Sequence, residues 1–271
     1  MSDRSATIIC IVNNIDIYNG FKKSLEEQTF KDYDLISVMN LDGRYKGARE
    51  IYNQYTVADM GRYVLFIHPD IRFSDERALD DIIAYADSCR PFGVLGVAGA
   101  APCVGACGAS ENESVPGRAS AQSHLKPARQ IFTTIVQGDD GSHVGESIES
   151  PVCVQTLDEC LFIIERERLA EYPFSDKAGW HLYCVEYCLN MQKCGYRNIA
   201  VPARVWHMSD GKSLNAQYML QLEELIKEFR QDNDIIYTTV KAWSTHGPAA
   251  YIYRRYYYLK QLIKGHLLGR K

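Results

Sequence analysis

Apolar positions along this chain come in short unbroken runs, and the stretches between them carry apolar residues at helical spacing. Residues 6–12 (Ala-Thr-Ile-Ile-Cys-Ile-Val) and 63–67 (Tyr-Val-Leu-Phe-Ile) lack the polar alternation of a strand with one wet face. Such runs belong to strands covered on both sides, the habit of a parallel sheet. Residues 33–39 and 92–97 predict two further strands. Residues 21–28 and 45–58 read as amphipathic helices, the second with Ala48, Ile51, Tyr52 and Tyr55 on one face. Ser74 is positioned to cap a third helix, with Asp75 and Glu76 in its first turn and Ala78, Leu79, Ile82, Ile83 and Ala86 as its stripe. This alternation predicts βαβ units and a mainly parallel central sheet flanked by helices.

Beyond Gly99 the pattern fades. Residues 99–150 are rich in Gly, Ala, Ser and Pro, and only 130–137 looks strand-like, so a long functional loop is expected. Order returns at 152–164, which reads as one strand with Asp158 and Glu159 at its middle. Burying two unpartnered carboxylates is costly, so both are expected to face a polar cavity. Residues 180–194 predict a helix closed by Gly195, 198–201 a short strand, and 215–231 an amphipathic helix.

With 271 residues, 46% of them apolar and 24% charged, the chain suits one large α/β domain, or one domain plus a small appendage. No apolar run reaches the roughly 18 residues that would span a bilayer. Met1-Ser2-Asp3-Arg4-Ser5 lacks a signal-peptide pattern, so the expected location is cytoplasmic. Nine cysteines, an odd number without an export signal, read as reduced thiols. The pairs Cys103/Cys107 and Cys184/Cys188 do not assemble a four-ligand zinc set.

The net charge of −4 is unevenly spread. From Ile235 onward there is no Asp or Glu but seven cations (Lys241, Arg254, Arg255, Lys260, Lys264, Arg270 and Lys271), so the rest carries −11, that is −4 minus 7. Interleaved aromatics and cations over 251–268 suit either a membrane interface or a helix packed on the domain with solvated charges. No nucleic-acid recognition motif accompanies them. Neither a Gly-x-Gly-x-x-Gly after the first strand nor a Gly-Lys-Ser/Thr loop is present, which excludes the common dinucleotide and P-loop sites.

The 63–67 run ends in His68-Pro69-Asp70, where proline stops the ladder and sets an imidazole and a carboxylate side by side. Open α/β sheets keep their ligands at such carboxyl ends. The order of features here resembles the GT-A fold of inverting family-2 glycosyltransferases, in the branch whose acidic motif reads His-x-Asp. The matching pieces are residues 8–14, Phe66-Ile67-His68-Pro69-Asp70, Leu157-Asp158-Glu159, Gly179-Trp180-His181-Leu182-Tyr183, Gly195-Tyr196 and Val205-Trp206-His207-Met208-Ser209.

The resemblance implies a GT-A-like domain over 1–211 and a basic helical extension over 212–271 packed on it. It implies transfer from a UDP- or GDP-linked sugar to a glycan or lipid-linked acceptor, assisted by Mn2+ or Mg2+. Asp70, His68 and His207 become the expected metal ligands, His68 standing where the family has its first Asp; imidazole favours manganese. Asn13, Asn14 and Asp42 are the expected nucleotide contacts. Glu186, His181 and Asp158 are the candidates for catalytic work, with Glu159 and Trp180 on the acceptor side. The family's Glu-Asp pair is missing after the Trp loop, which keeps open a non-catalytic nucleotide-sugar or glycan-binding relative. The basic tail keeps open a peripheral position at the inner face of a membrane.

Overall fold

The computed structural model describes residues 5–56, 59–103, 127–208 and 214–267. Cys107, residues 104–126 of the expected loop, the end of the 45–58 helix and the cations Arg270 and Lys271 lie outside the described residues.

The chain begins with β1 (Ala6–Val12), α1 (Ile15–Glu26), β2 (Tyr33–Met39), α2 (Ala48–Tyr55), β3 (Tyr63–Ile67), β4 (Ile71–Phe73) and α3 (Ala78–Ser88). Then come β5 (Leu95–Gly96), β6 (Ala98–Pro102), β7 (Arg129–Thr133), β8 (Val136–Gln137) and β9 (Ser142–His143). They lead into β10 (Val152–Val154), β11 (Thr156–Leu157), β12 (Leu161–Glu165), α4 (Arg166–Glu171), α5 (Tyr183–Lys193), β13 (Asn198–Ala200) and β14 (Val205–His207). The last elements are α6 (Ala216–Phe229), β15 (Ile235–Tyr237), β16 (Ala242–Ser244) and α7 (Pro248–Leu267).

The central sheet has the order β10-β13-β5-β12-β3-β1-β2. Five of its seven strands run the same way, with β12 and β10 reversed, so the sheet is mainly parallel as expected. Alternate residues serve opposite faces. Ile8, Cys10, Leu65 and Ile67 pack with Phe21 of α1 and Leu79 and Ile82 of α3. Ile9, Val64, Phe66 and Phe162 pack with Ile51 and Tyr52 of α2 and Tyr183 and Tyr187 of α5. Each fully buried aromatic or aliphatic side chain of this kind stabilises the fold by roughly 2 kcal/mol. A third cluster joins Leu182, Val185 and Leu189 to α6, Trp243 and the tyrosines of α7.

Several boundaries differ from the sequence expectation, each for a local reason. Asn14 caps α1, its side-chain oxygen accepting from the backbone N–H of Asp16 and Ile17, so the helix starts at Ile15 rather than residue 21. Ser74 is not a cap; Asp75 accepts from Arg77 N–H and forms a turn before Ala78. Residues 152–164 are three strands rather than one, and Asp158 and Glu159 occupy the turn between β11 and β12. The described ends of the 99–150 stretch are structured: β6 pairs with β7, and β8 joins β14.

Candidate functional site

Because β1, β2 and β3 are parallel, their carboxyl ends share one edge of the sheet. Asn13 and Asn14 follow β1, Asp42 follows β2, and His68-Pro69-Asp70 follows β3. His207 reaches that edge by a different route. β4 pairs antiparallel with β14, setting His207 opposite Ile71, the residue after Asp70. Two backbone bonds fix the register, from Met208 N–H to Asp70 C=O (3.0 Å) and from Gly138 N–H to His207 C=O (3.0 Å). A side-chain bond braces the same crossing, the Trp206 ring N–H donating to Gly138 C=O at 2.9 Å.

The ligand atoms of His68, Asp70 and His207 consequently lie within 4.8 Å of one another. His207 Nε2 is 3.3 Å from Asp70 Oδ2, while Asp70 Oδ1 is buried without a hydrogen-bond partner. An ionised oxygen left this way is expensive, more than the roughly 1–3 kcal/mol of a neutral orphan. One carboxylate and two imidazoles around an unsatisfied anionic oxygen fit a divalent cation.

The electrostatics agree with that fit. Burial pushes the Asp70 carboxyl up, but the His207 hydrogen bond and the neighbouring imidazoles outweigh it, leaving Asp70 below the ordinary carboxylate range. Burial holds His68 below the usual imidazole value, so its ring is neutral and free to ligate. His207 is raised instead: burial opposes its charge, but the Asp70 contact prevails.

Behind the ligands stands α5. His68 Nε2 shares a 2.7 Å hydrogen bond with the Tyr183 hydroxyl, and Glu159 Oε1 accepts from Tyr183 N–H at 2.7 Å. Glu159 thus caps α5, where the helix dipole favours an anion. Yet burial, with the neighbouring Asp158 charge, pushes its carboxyl up to about 8. Between the ordinary carboxylate value and 8 the folded chain holds a proton that the unfolded chain has released, so stability falls as pH rises through that window. In metal-free buffer Glu159→Gln is expected to abolish this slope, at most about 1.4 kcal/mol per pH unit. Denaturant titrations at pH 5 and pH 8.5 measure it; equal slopes for both proteins would refute the assignment.

Asp158 belongs to the same pocket, since its charge acts on both His68 and His207. Its two oxygens accept from Cys160 N–H (3.0 Å) and the Thr239 hydroxyl (2.6 Å). His181 lies where α5 meets α6: its backbone N–H donates to Gln221 (3.2 Å) and its ring Nε2 contacts the Asn215 amide (3.1 Å). Burial lowers the His181 pKa, keeping the ring neutral. Trp180 beside it is exposed. Leu182, next in line, is a non-glycine residue in the left-handed region (φ 60°, ψ 15°), a conformation that costs of order 1–3 kcal/mol and clusters at functional sites. This turn is why α5 starts at Tyr183 rather than Trp180.

Glu186 points elsewhere. It is buried between Arg49 (2.5 Å) and Lys177 (3.0 Å), and these cations overcome burial to hold its carboxyl below the ordinary range. The loop bearing Lys177 is stitched to α2 by backbone bonds between Gly179 and both Lys46 and Ala48. A Cβ on Gly47 would lie 2.6 Å from Gly179 N, and Gly179 has φ +118°, so this crossing requires glycine at both positions. Asn14 spends its side-chain oxygen on α1, while Asn13 and Asp42 are exposed, Asp42 accepting from Arg44 N–H at 3.3 Å. Sequence reading missed Tyr183, Arg49 and Lys177 as partners; only the identity of Tyr183, one residue past Leu182, offered a signal.

Residues 7–229 match the model of a family described as glycosyltransferase-like. The chain belongs to this glycosyltransferase-like family. The mannosyltransferase PcManGT from Pyrobaculum calidifontis, in complex with GDP-Man and Mn2+, aligns with a TM-score of 0.55 at 10% identity, over 97% of this chain and 76% of its own. S. aureus TarS aligns at 0.51 and 13% identity, over 83% of this chain and 39% of TarS. At these identities the likeness is one of fold: the glycosyltransferase-like chain has the expected GT-A-type α/β architecture. A curated relative, "ATP synthase subunits region ORF 6" of Fuscovulum blasticum, is 26% identical over 176 residues, 63% of this chain and 61% of that protein. The chain therefore spans about three-fifths of that relative's length. No helix among the described residues is long and apolar enough to cross a membrane.

Proposed function

We propose that this glycosyltransferase-like chain moves a sugar from a UDP- or GDP-linked donor to a hydroxyl of a glycan or lipid-linked acceptor, inverting the anomeric carbon, with Mn2+ or Mg2+ as cofactor. The observation that carries this reading is the convergence of His68, Asp70 and His207, with one buried Asp70 oxygen unsatisfied, at the edge formed by β1, β2 and β3. A divalent ion held there supplies neutralisation of the charge that develops on the leaving diphosphate. Two imidazoles beside one carboxylate favour Mn2+ over Mg2+. The similarly folded mannosyltransferase, in complex with GDP-Man and Mn2+, is in keeping with that choice.

In this proposal residues 1–211 carry the chemistry and residues 212–271 pack on them. Asn13 and Asp42 hydrogen-bond the base and ribose, and Asn14 fixes the turn that joins Asn13 to α1. The acceptor oxygen attacks the anomeric carbon while the bond from that carbon to the diphosphate breaks, its electron pair leaving with the nucleoside diphosphate. The acceptor proton passes to Nε2 of neutral His181, whose lone pair accepts from the Asn215 amide until the acceptor hydroxyl takes that place. Asp158 steadies the acceptor side of the pocket, Trp180 offers an exposed ring for a sugar, and Glu159 positions His68 through Tyr183.

Calorimetric titration of the chain with UDP and with GDP, with and without Mn2+, tests the donor site; binding that ignores the metal would overturn it. His181→Ala is expected to lower kcat by roughly 100- to 10,000-fold while donor affinity stays within about twofold. Wild-type turnover in that variant would move the base to Asp158. A pure chain that binds donor yet neither transfers nor hydrolyses it would leave the non-catalytic donor-binding relative as the reading.

A further inference from the structure

We propose that α7 is a docking face for an anionic lipid surface, independent of the transfer chemistry. Its inner side is fixed to the protein: Arg254 is buried, pairs with Glu223 at 2.7 Å and donates to Ser244 C=O at 2.5 Å, and Tyr257 meets Trp243 edge-on at 5.7 Å. Its outer side carries Ile252, Tyr256, Leu259, Ile263 and Leu267, each between 52% and 81% exposed. At about 100° per residue these five fall within an arc of about 80°. A stripe this narrow and apolar, left in water along a 20-residue helix, marks an interaction surface.

The charges around the stripe select the partner. Arg255 lies along one flank and Lys260 and Lys264 along the other, all exposed, and α7 contains no acidic residue. A helix lying in an interface has this form, with an apolar strip sunk between cations that meet anionic headgroups and with tyrosine at headgroup depth. A second copy of the chain is disfavoured, because pairing two such stripes sets Arg255, Lys260 and Lys264 against their own kind with no acid to answer them. Everything before residue 235 carries −11, so an anionic surface repels the rest of the molecule and α7 is the face that docks.

Ring contacts anchor the inner side of α7 to the body of the protein, from Tyr257 to Trp243 at 5.7 Å, Trp243 to Tyr218 at 6.3 Å, and Tyr218 to His181 at 5.8 Å.

Co-sedimentation of the full chain with vesicles of phosphatidylglycerol and phosphatidylcholine, against phosphatidylcholine alone, tests the proposal. Binding is expected on the anionic vesicles and to weaken on adding salt. It is expected to fall at least 10-fold in Ile252→Glu/Ile263→Glu and also in Lys260→Glu/Lys264→Glu. All four side chains are exposed, so circular dichroism and metal-dependent nucleotide binding should match the wild type in both variants. No binding to anionic vesicles by the wild type, or binding that both variants retain, would overturn it. So would light scattering that finds a dimer dispersed by Ile252→Glu/Ile263→Glu, which would assign the stripe to a second copy.

Discussion

Asp70→Asn is expected to cost about 100-fold or more in Mn2+-dependent donor binding and in transfer, well beyond the roughly 10- to 100-fold of a residue that merely orients a ligand. The amide preserves the shape of the side chain, and the backbone bond from Met208 N–H to Asp70 C=O does not depend on it, so the fold should persist. What disappears is the negative charge on Oδ1, the buried oxygen without a partner, and the anion that raises His207. Loss of the cation site removes metal dependence altogether rather than shifting it. Calorimetry with UDP or GDP across a Mn2+ series reads this directly. An Asp70→Asn protein with unchanged metal dependence would end the metal assignment, and with it the donor site built around it.

Glu186→Gln is expected to produce the largest loss of stability, roughly 3–5 kcal/mol, because it breaks a buried ion pair from one side. Arg49 is 3% exposed, and its Nε and remaining Nη find no other partner, so the guanidinium is left charged in a dry site. For a chain of this size that corresponds to a fall in Tm on the order of 10 °C. Arg49→Met/Glu186→Leu should recover much of the loss, since removing both charges also removes their desolvation cost. The pair also sets an acid limit. The Glu186 carboxyl is depressed in the folded chain, so its contribution is complete above the unfolded carboxylate pKa. It is lost as pH falls through the lower folded value. Turnover below the melting transition decides its role. If Glu186→Gln kept its Tm but lost turnover 1,000-fold, Glu186 would have to be the base after all.

The two residues proposed or considered as bases show how far sequence reading reaches. Helical spacing put Glu186 and His181 near the start of one helix, and both are there. What each of them faces depends on what packs against each side of α5. Arg49 and Lys177 claim Glu186, while the left-handed turn at Leu182 swings His181 toward α6. Neither partner leaves a trace in the local pattern around residues 180–186. The same holds for Glu159, whose mid-strand place in the sequence pattern became a helix cap once the strand broke at Asp158.

The pattern of apolar runs determined by itself the strands of the parallel half of the sheet, the helices covering it, and the polar edge where Asn13, Asp42 and His68-Pro69-Asp70 emerge. Those features follow from periods of two and 3.6 residues, which are properties of neighbouring positions. The tertiary structure alone decided that β14 would cross to β4 and bring His207 within reach of Asp70, that β8 would leave the supposed loop to brace it, and that one face of α7 would remain uncovered. Backbone pairing across distant segments uses N–H and C=O groups that every residue carries, so the sequence holds no local mark of which strands will meet.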